Sequence, residues 1–361
     1  MWNDNLVTQR LKIEYPIIQA GMAGGITTPD LVAAVSNSGG LGTLGAGYMS
    51  SDEVAVNIQK IKQLTSNSFG VNVFIPEYPE VKKEEIEEAN KLLDPFRKEL
   101  QIKTKNIPEQ SESLFEKQME VILEQRVPVC SFTFGIASKE LIRDLKKENI
   151  TVIGTATTVE EAMINEEKGV DLIVVQGSEA GGHRGTFSVP FENAMIGTMA
   201  LIPQAADHIH TPIIAAGGIM DGRGVLASQV LGAQGVQMGT AFVTCLESGA
   251  KKQHKEAILN TSEEKAVMTS AFSGKPARGI DNQFIQAMKG HEDKLLAYPA
   301  QNTLTNDIRK EAAKQNRPEW MSMWSGQAPR LSKNKSARDI MSEIVSQVDH
   351  MMKEKTFSYF D

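Results

Sequence analysis

Eight short apolar runs, separated by segments of helical character, constrain this chain more than any other feature. They fall at Pro16–Ala20, Leu41–Ala46, Phe69–Ile75, Val127–Phe134, Thr151–Thr157, Asp171–Gly177, Pro212–Ile219 and Gly235–Val243. None shows the polar alternation of a sheet wetted on one face, so both faces must be covered, as in a parallel sheet flanked by helices. Helical segments are expected at Pro29–Asn37, Asp52–Leu64, Lys139–Glu148, Val159–Lys168, Glu192–Asp207 and Arg223–Leu231. Thr28 followed by Pro29 is an N-terminal cap with proline at the first helical position of one of them, and Gly39, Gly169 and Gly232 stand where helices must end. Eight strands in βα alternation predict an α/β fold, a (β/α)8 TIM barrel, over residues 1–250. An open doubly wound sheet has the same elements and differs only in strand order.

Two segments depart from the repeat. Residues 80–126 form a charged insert after the third strand, expected as two helices near Lys82–Leu93 and Ser111–Gln125; its KKEEIEE run reads as a solvated face. Residues 251–361 are expected to be a mainly helical cap packed on the barrel: a helix near Lys251–Leu259, the irregular SAFSGKPARGIDNQF, and a last helix near Ala337–Lys353. In that helix Ile340, Ile344, Val348 and Met351 recur at helical spacing and predict a buried stripe.

Charge and cysteine content narrow the function classes. A net charge of -7 argues against nucleic acid as the main partner, which requires a basic surface. Cys130 and Cys245 both sit in apolar runs and are expected to be buried and reduced, which suits a cytoplasmic protein. No apolar run approaches membrane-spanning length, and the N-terminus lacks a signal pattern. The sequence sets no oligomeric state.

Barrel chemistry is carried by the loops after the strands. After the sixth strand comes GSEAGGHRGTF, in which one histidine, His183, stands among four glycines. Glycine admits close approach of backbone to a ligand, and histidine titrates nearest neutrality. A plain surface loop has the same composition. The seventh and eighth strands end in AAGGIMDGRG and QMGTAF. Their glycines, Gly217, Gly218 and Gly239, with Thr240, suit an anion cradle; the lesser reading is that they only permit tight turns. Across the mouth, Gly21 and Met22 could face a ring system, while Asn72 and Gln176 offer paired amides to a heterocycle edge. A phosphorylated flat cofactor is expected, and flavin mononucleotide (FMN) fits best. No metal-ligand cluster is visible; His208 and His210 are expected on the surface at the opposite barrel end.

The whole chain resembles the class I nitronate monooxygenases. The resemblance is carried by PIIQAGMAGGITTPDLVAAVSNSGGLGTLGAG, FGVNVF, CSFTFG, VIGTATTVEEA, VVQGSEAGGHRGTF, PIIAAGGIMDGRG and LGAQGVQMGTAF, and in the tail by ARGIDN, YPAQNTLT and Ser325–Gln327. It implies an FMN enzyme that oxidises alkyl nitronates with O2 to a carbonyl compound and nitrite, propionate 3-nitronate being the implied physiological substrate. It implies that Asn72, Gln176, Gly181, Gly218, Gln237, Met238, Gly239 and Thr240 contact FMN, and that His183 is catalytic. The nearest rival is the flavin enoyl-acyl-carrier-protein reductase, which shares the GGH loop but is less similar around SFTFG; a flavin quinone reductase is a third reading. A non-catalytic flavin-binding protein is the alternative of another class. A cysteine-nucleophile barrel is disfavoured, since the sixth-strand loop holds no cysteine. Trp320 and Trp324 stand at core-like spacing but could line the pocket.

Overall fold

In the computed structural model, residues 1–106 and 113–357 are described. The strands are β1 (Ile17–Gln19), β2 (Gly42–Gly45), β3 (Phe69–Phe74), β4 (Val129–Thr133), β5 (Thr151–Ala156), β6 (Leu172–Gln176), β7 (Gly182–His183), β8 (Ile213–Ala216), β9 (Gly235–Met238), β10 (Ala266–Thr269) and β11 (Ala277–Ile280). Eight of them form one parallel sheet in the order β1-β9-β8-β6-β5-β4-β3-β2. Its edges meet: Gln19 N donates to Leu41 O at 2.9 Å, and Leu41 N to Ile17 O at 2.9 Å. The buried Gln19 side chain adds a further rung, accepting from Thr43 N at 3.1 Å and donating to Thr43 O at 3.2 Å. The sheet is therefore a barrel, and the open doubly wound arrangement is excluded.

Side-chain alternation sorts each strand into two layers. Ile18, Val129, Ile153, Leu172, Val174 and Ile214 fill the interior, where Val7 and Leu11 of an unanticipated N-terminal helix (Leu6–Leu11) join them. The intervening residues, such as Val71, Cys130, Val152, Ile173 and Val236, pack against the surrounding helices. Burying each Val, Leu or Ile contributes roughly 1.5–3 kcal/mol, which is why these runs admit no polar alternation.

Local signals set the helix ends. Thr158 Oγ1 caps Glu161 N at 3.1 Å, and Gly169 closes the helix Val159–Lys168 at φ 87°, a conformation that favours glycine. Thr28 caps Leu31 N at 3.1 Å at the start of Pro29–Asn37.

Four expectations are revised. The run Gly235–Val243 is not one strand: β9 ends at Met238, and Thr240–Val243 is a helical turn whose apolar residues are buried in either conformation. The segment Glu192–Asp207 divides into a 3-10 turn (Phe191–Ala194) and a helix (Thr198–His208). The insert helices run Lys83–Glu99 and Leu114–Glu124; Ser111 lies outside the described residues. The tail segment expected to be irregular supplies β11, which pairs antiparallel with β10 and with β7.

Insert and tail share a second core, with Leu93 and Leu100 from the insert against Phe272, Phe284, Leu304 and Ile308 from the tail. Arg97, 2% exposed, ties them by bonds to Asp307 Oδ2 at 2.8 Å and Leu304 O at 2.9 Å. The last helix, Ala337–Phe357, instead lays Ile340, Ile344 and Val348 into the barrel's outer core, while Met351 is only half-buried. Cys130 and Cys245 are free and buried, and His208 and His210 are exposed.

Candidate active site

A cavity with an empty volume of about 1300 Å³ opens at the C-terminal ends of the barrel strands. Met22, Asn72, Gln176, Gly181, His183, Gly218, Gln237, Gly239 and Thr240 all line it. Met238 does not. Strand alternation turns its side chain, 1% exposed, into the layer between barrel and helices while Gln237 faces the mouth.

The His183 loop is clamped rather than free. Gln176 Nε2 donates to His183 O at 3.1 Å and its Oε1 accepts from Gly185 N at 2.9 Å, so this amide is engaged by the loop itself. Arg184 is 1% exposed and spans Gly177 O at 2.6 Å, Gln176 O at 2.9 Å and Ala194 O at 2.9 Å. The fully buried Glu161 accepts from Thr157 N, Phe187 N and Ser188 N at 2.6, 2.6 and 2.9 Å. From the tail, Arg278 Nη2 donates to Ser178 O at 2.8 Å, and β11 pairs Ala277 with His183. Gly181 has no room for a side chain: a Cβ there would lie 2.5 Å from Gly326 N. Replacing Glu161 with Ala leaves the buried Thr157 N–H and the less buried Phe187 and Ser188 N–H groups without this acceptor. At about 1–3 kcal/mol for the buried unsatisfied donor, the unfolding free energy should fall by at least that much, read as a lower urea midpoint at unchanged slope. A midpoint within error of wild type would refute the clamp.

His183 sits in an aromatic enclosure, with ring centroids 5.6 Å from Phe134, 6.1 Å from Tyr298 and 5.4 Å from Trp324. Burial, then Arg309 and Lys275, hold its imidazole down to about 3, so the ring is neutral throughout the physiological range. Its Nε2 lies 2.8 Å from Ser273 Oγ. Trp324 thus belongs to the cavity, whereas Trp320, 4% exposed, is core, packing edge-on with Phe96 and under the Arg317 guanidinium.

On the far side of the cavity, the backbone N–H groups of Gly218, Gly239 and Thr240 make no hydrogen bond among the described residues. Gly218 sits at φ 70°. A Cβ on Gly239 would make only ordinary contacts at 3.8 Å, with Ala20 Cβ and Met22 Sδ, so the protein itself leaves room for a side chain here. Thr240 Oγ1 accepts from Gly326 N at 2.9 Å and keeps its hydrogen for a ligand. Such a set of unpaired donors fits an anionic group of phosphate size. Among the described residues no group of three or more His, Cys, Asp or Glu is placed to hold a metal.

Several residues of this site were missed from the sequence. Glu161 reads there as an ordinary first-turn acid of its helix. Ser273 and Arg278 lie in the segment read as irregular, and only their pairing with the GGH loop reveals them.

A closed (β/α)8 barrel with its cavity at the strands' C-terminal ends and one neutral histidine against that cavity defines a barrel enzyme. Comparison with known proteins narrows this. The family model described as nitronate monooxygenase matches residues 4–347. A probable nitronate monooxygenase of Staphylococcus haemolyticus is 52% identical over 354 residues, covering 98% of this chain and 99% of the relative. Among solved structures, nitroalkane oxidase from Streptomyces ansochromogenes superposes with a TM-score of 0.91 at 34% identity, covering 97% of this chain and 99% of that one. FabK from Thermotoga maritima follows the same fold at a TM-score of 0.76 and 30% identity, covering 98% of both chains. The chain belongs to the nitronate monooxygenase family, a family of flavin-dependent oxidoreductases. No helix among the described residues is long and apolar enough to cross a membrane.

Proposed function

We propose that this chain binds FMN at the barrel mouth and oxidises alkyl nitronates with O2, propionate 3-nitronate being the physiological substrate, to nitrite and a carbonyl compound. The observation that carries the reading is the unpaired N–H set of Gly218, Gly239 and Thr240 facing, across one cavity, a neutral His183. Those N–H groups and the Thr240 hydroxyl would hold the phosphate. Asn72, its Nδ2 held by Ser131 Oγ and Thr133 Oγ1, would offer Oδ1 and Gln237 its amide to the edge of the ring system, and the Gly21–Met22 backbone can lie against it. Gln176 contributes by fixing the loop, and Gly181 by letting the tail close on it. Bound flavin supplies the route for electrons from the nitronate to O2. The protein's task is to hold the anion beside it, exclude water with Phe134, Tyr298 and Trp324, and place His183 against the reacting carbon. The buried free thiols of Cys130 and Cys245 suit a cytoplasmic setting.

Heat-released flavin separated by chromatography tests the cofactor: FMN is expected, since the unpaired N–H set of Gly218, Gly239 and Thr240 suits a single phosphate group. Recovery of FAD would refute it. Anaerobic mixing with NADH or NADPH should leave the flavin absorbance unchanged on the timescale of nitronate turnover, and rapid bleaching would make a reductase the better reading.

A further inference from the structure

Ser273 has one hydroxyl hydrogen and three polar neighbours. Its Oγ lies 3.0 Å from Lys275 O, which can only accept, 3.3 Å from Lys275 N, which can only donate, and 2.8 Å from His183 Nε2. If the hydrogen pointed at His183, Lys275 O would lose the hydrogen bond it has here. With the hydrogen on Lys275 O, Oγ must accept from the imidazole, so the ring proton resides on Nε2. The lone pair then falls to Nδ1. That nitrogen makes no hydrogen bond among the described residues, is not one of the enclosed unpartnered atoms, and belongs to a residue lining the cavity. Ser273 is itself 1% exposed and lies in the turn between β10 and β11, so it cannot rotate away without disturbing Lys275.

We infer that Ser273 is a positioning residue: it locks His183 in the Nε2–H tautomer and so presents Nδ1 as the proton acceptor for neutral nitroalkanes. This rests on the proposed oxidation of nitronates and adds how the site can make its own anion. In the step, the α-carbon–hydrogen bond breaks and the proton goes to Nδ1. The electron pair moves into the nitro group, so a neutral pair becomes imidazolium and nitronate. The surrounding Arg309 and Lys275 disfavour a cationic ring until the nitronate supplies the opposing charge.

The test uses the holoenzyme labelled with nitrogen-15 at histidine. Long-range proton–nitrogen spectra of wild type should show His183 with protonated Nε2 and bare Nδ1, and Ser273→Ala should shift both nitrogens toward the averaged values of mixed tautomers. In parallel, kcat/KM of Ser273→Ala for nitroethane should fall by at least tenfold, short of the about 10²–10⁴-fold that loss of the base itself costs. Preformed ethyl nitronate, which needs no deprotonation, should lose less. A wild-type His183 protonated on Nδ1, a tautomer unmoved by Ser273→Ala, or equal losses on the two substrates would each overturn the inference. Failure of the oxidation reading shows separately, as wild-type protein that releases no nitrite from ethyl nitronate; the tautomer is decided by the spectra in either case.

Discussion

His183→Ala should retain FMN and its fold while losing about 10²–10⁴-fold in kcat/KM on neutral nitroalkanes, the usual cost of removing a positioned acid or base. Fold and cofactor should survive because the loop is held by other groups: Arg184, Glu161 and Gln176 clamp its backbone, and the pairing of β7 with β11 uses main chain alone. Among the described residues the imidazole hydrogen-bonds only Ser273, whose hydroxyl keeps Lys275 O as partner once the ring is removed. On preformed nitronates the loss should be smaller, because a neutral ring with its lone pair toward the cavity has no proton to give an anion. Steady-state oxygen uptake on both substrate forms checks this. Wild-type rates on both would remove His183 from the chemistry and leave its loop as a wall of the cavity.

The second large effect is expected at Gly239. Its backbone sits at φ -100°, which any residue adopts, and a Cβ would find no protein atom within 3.4 Å. Gly239→Val should therefore fold with near-native stability yet purify without flavin, since its side chain would occupy the space beside the unpaired N–H groups. Gly218 is a poorer probe: at φ 70° any side chain is strained whatever the ligand does. Flavin absorbance per protein and the thermal midpoint of the flavin-free form separate the two effects. A flavin content equal to wild type would contradict the placement of the phosphate.

The barrel was legible because its strands are apolar on both faces, and Thr28 and Gly169 mark helix ends by local chemistry alone. What the sequence hid is non-local. β7 is two residues long and exists only because Ala277 and Arg278 of the tail lie beside it. No local pattern could assign it, nor could it show that Ser273 reaches His183. The resemblance implied FMN contact for the whole run Gln237–Thr240, and only the strand period shows which of these residues turn a side chain to the cavity. The strand period sends alternate side chains to opposite faces, and Met238 goes to the core. Gln176 was expected to meet the cofactor because a strand-end amide can serve either ligand or backbone; here both its polar atoms hold the loop.

The central claim is that this cavity turns nitronates and O2 into nitrite. It is tested most directly by measuring nitrite released and oxygen consumed when FMN-loaded protein meets propionate 3-nitronate or ethyl nitronate in air, against free FMN as control. The account predicts catalytic nitrite release from both, with oxygen consumption tracking it and no requirement for NADH or NADPH. Nitrite no faster than with free FMN, from a protein shown to hold its flavin, would contradict it.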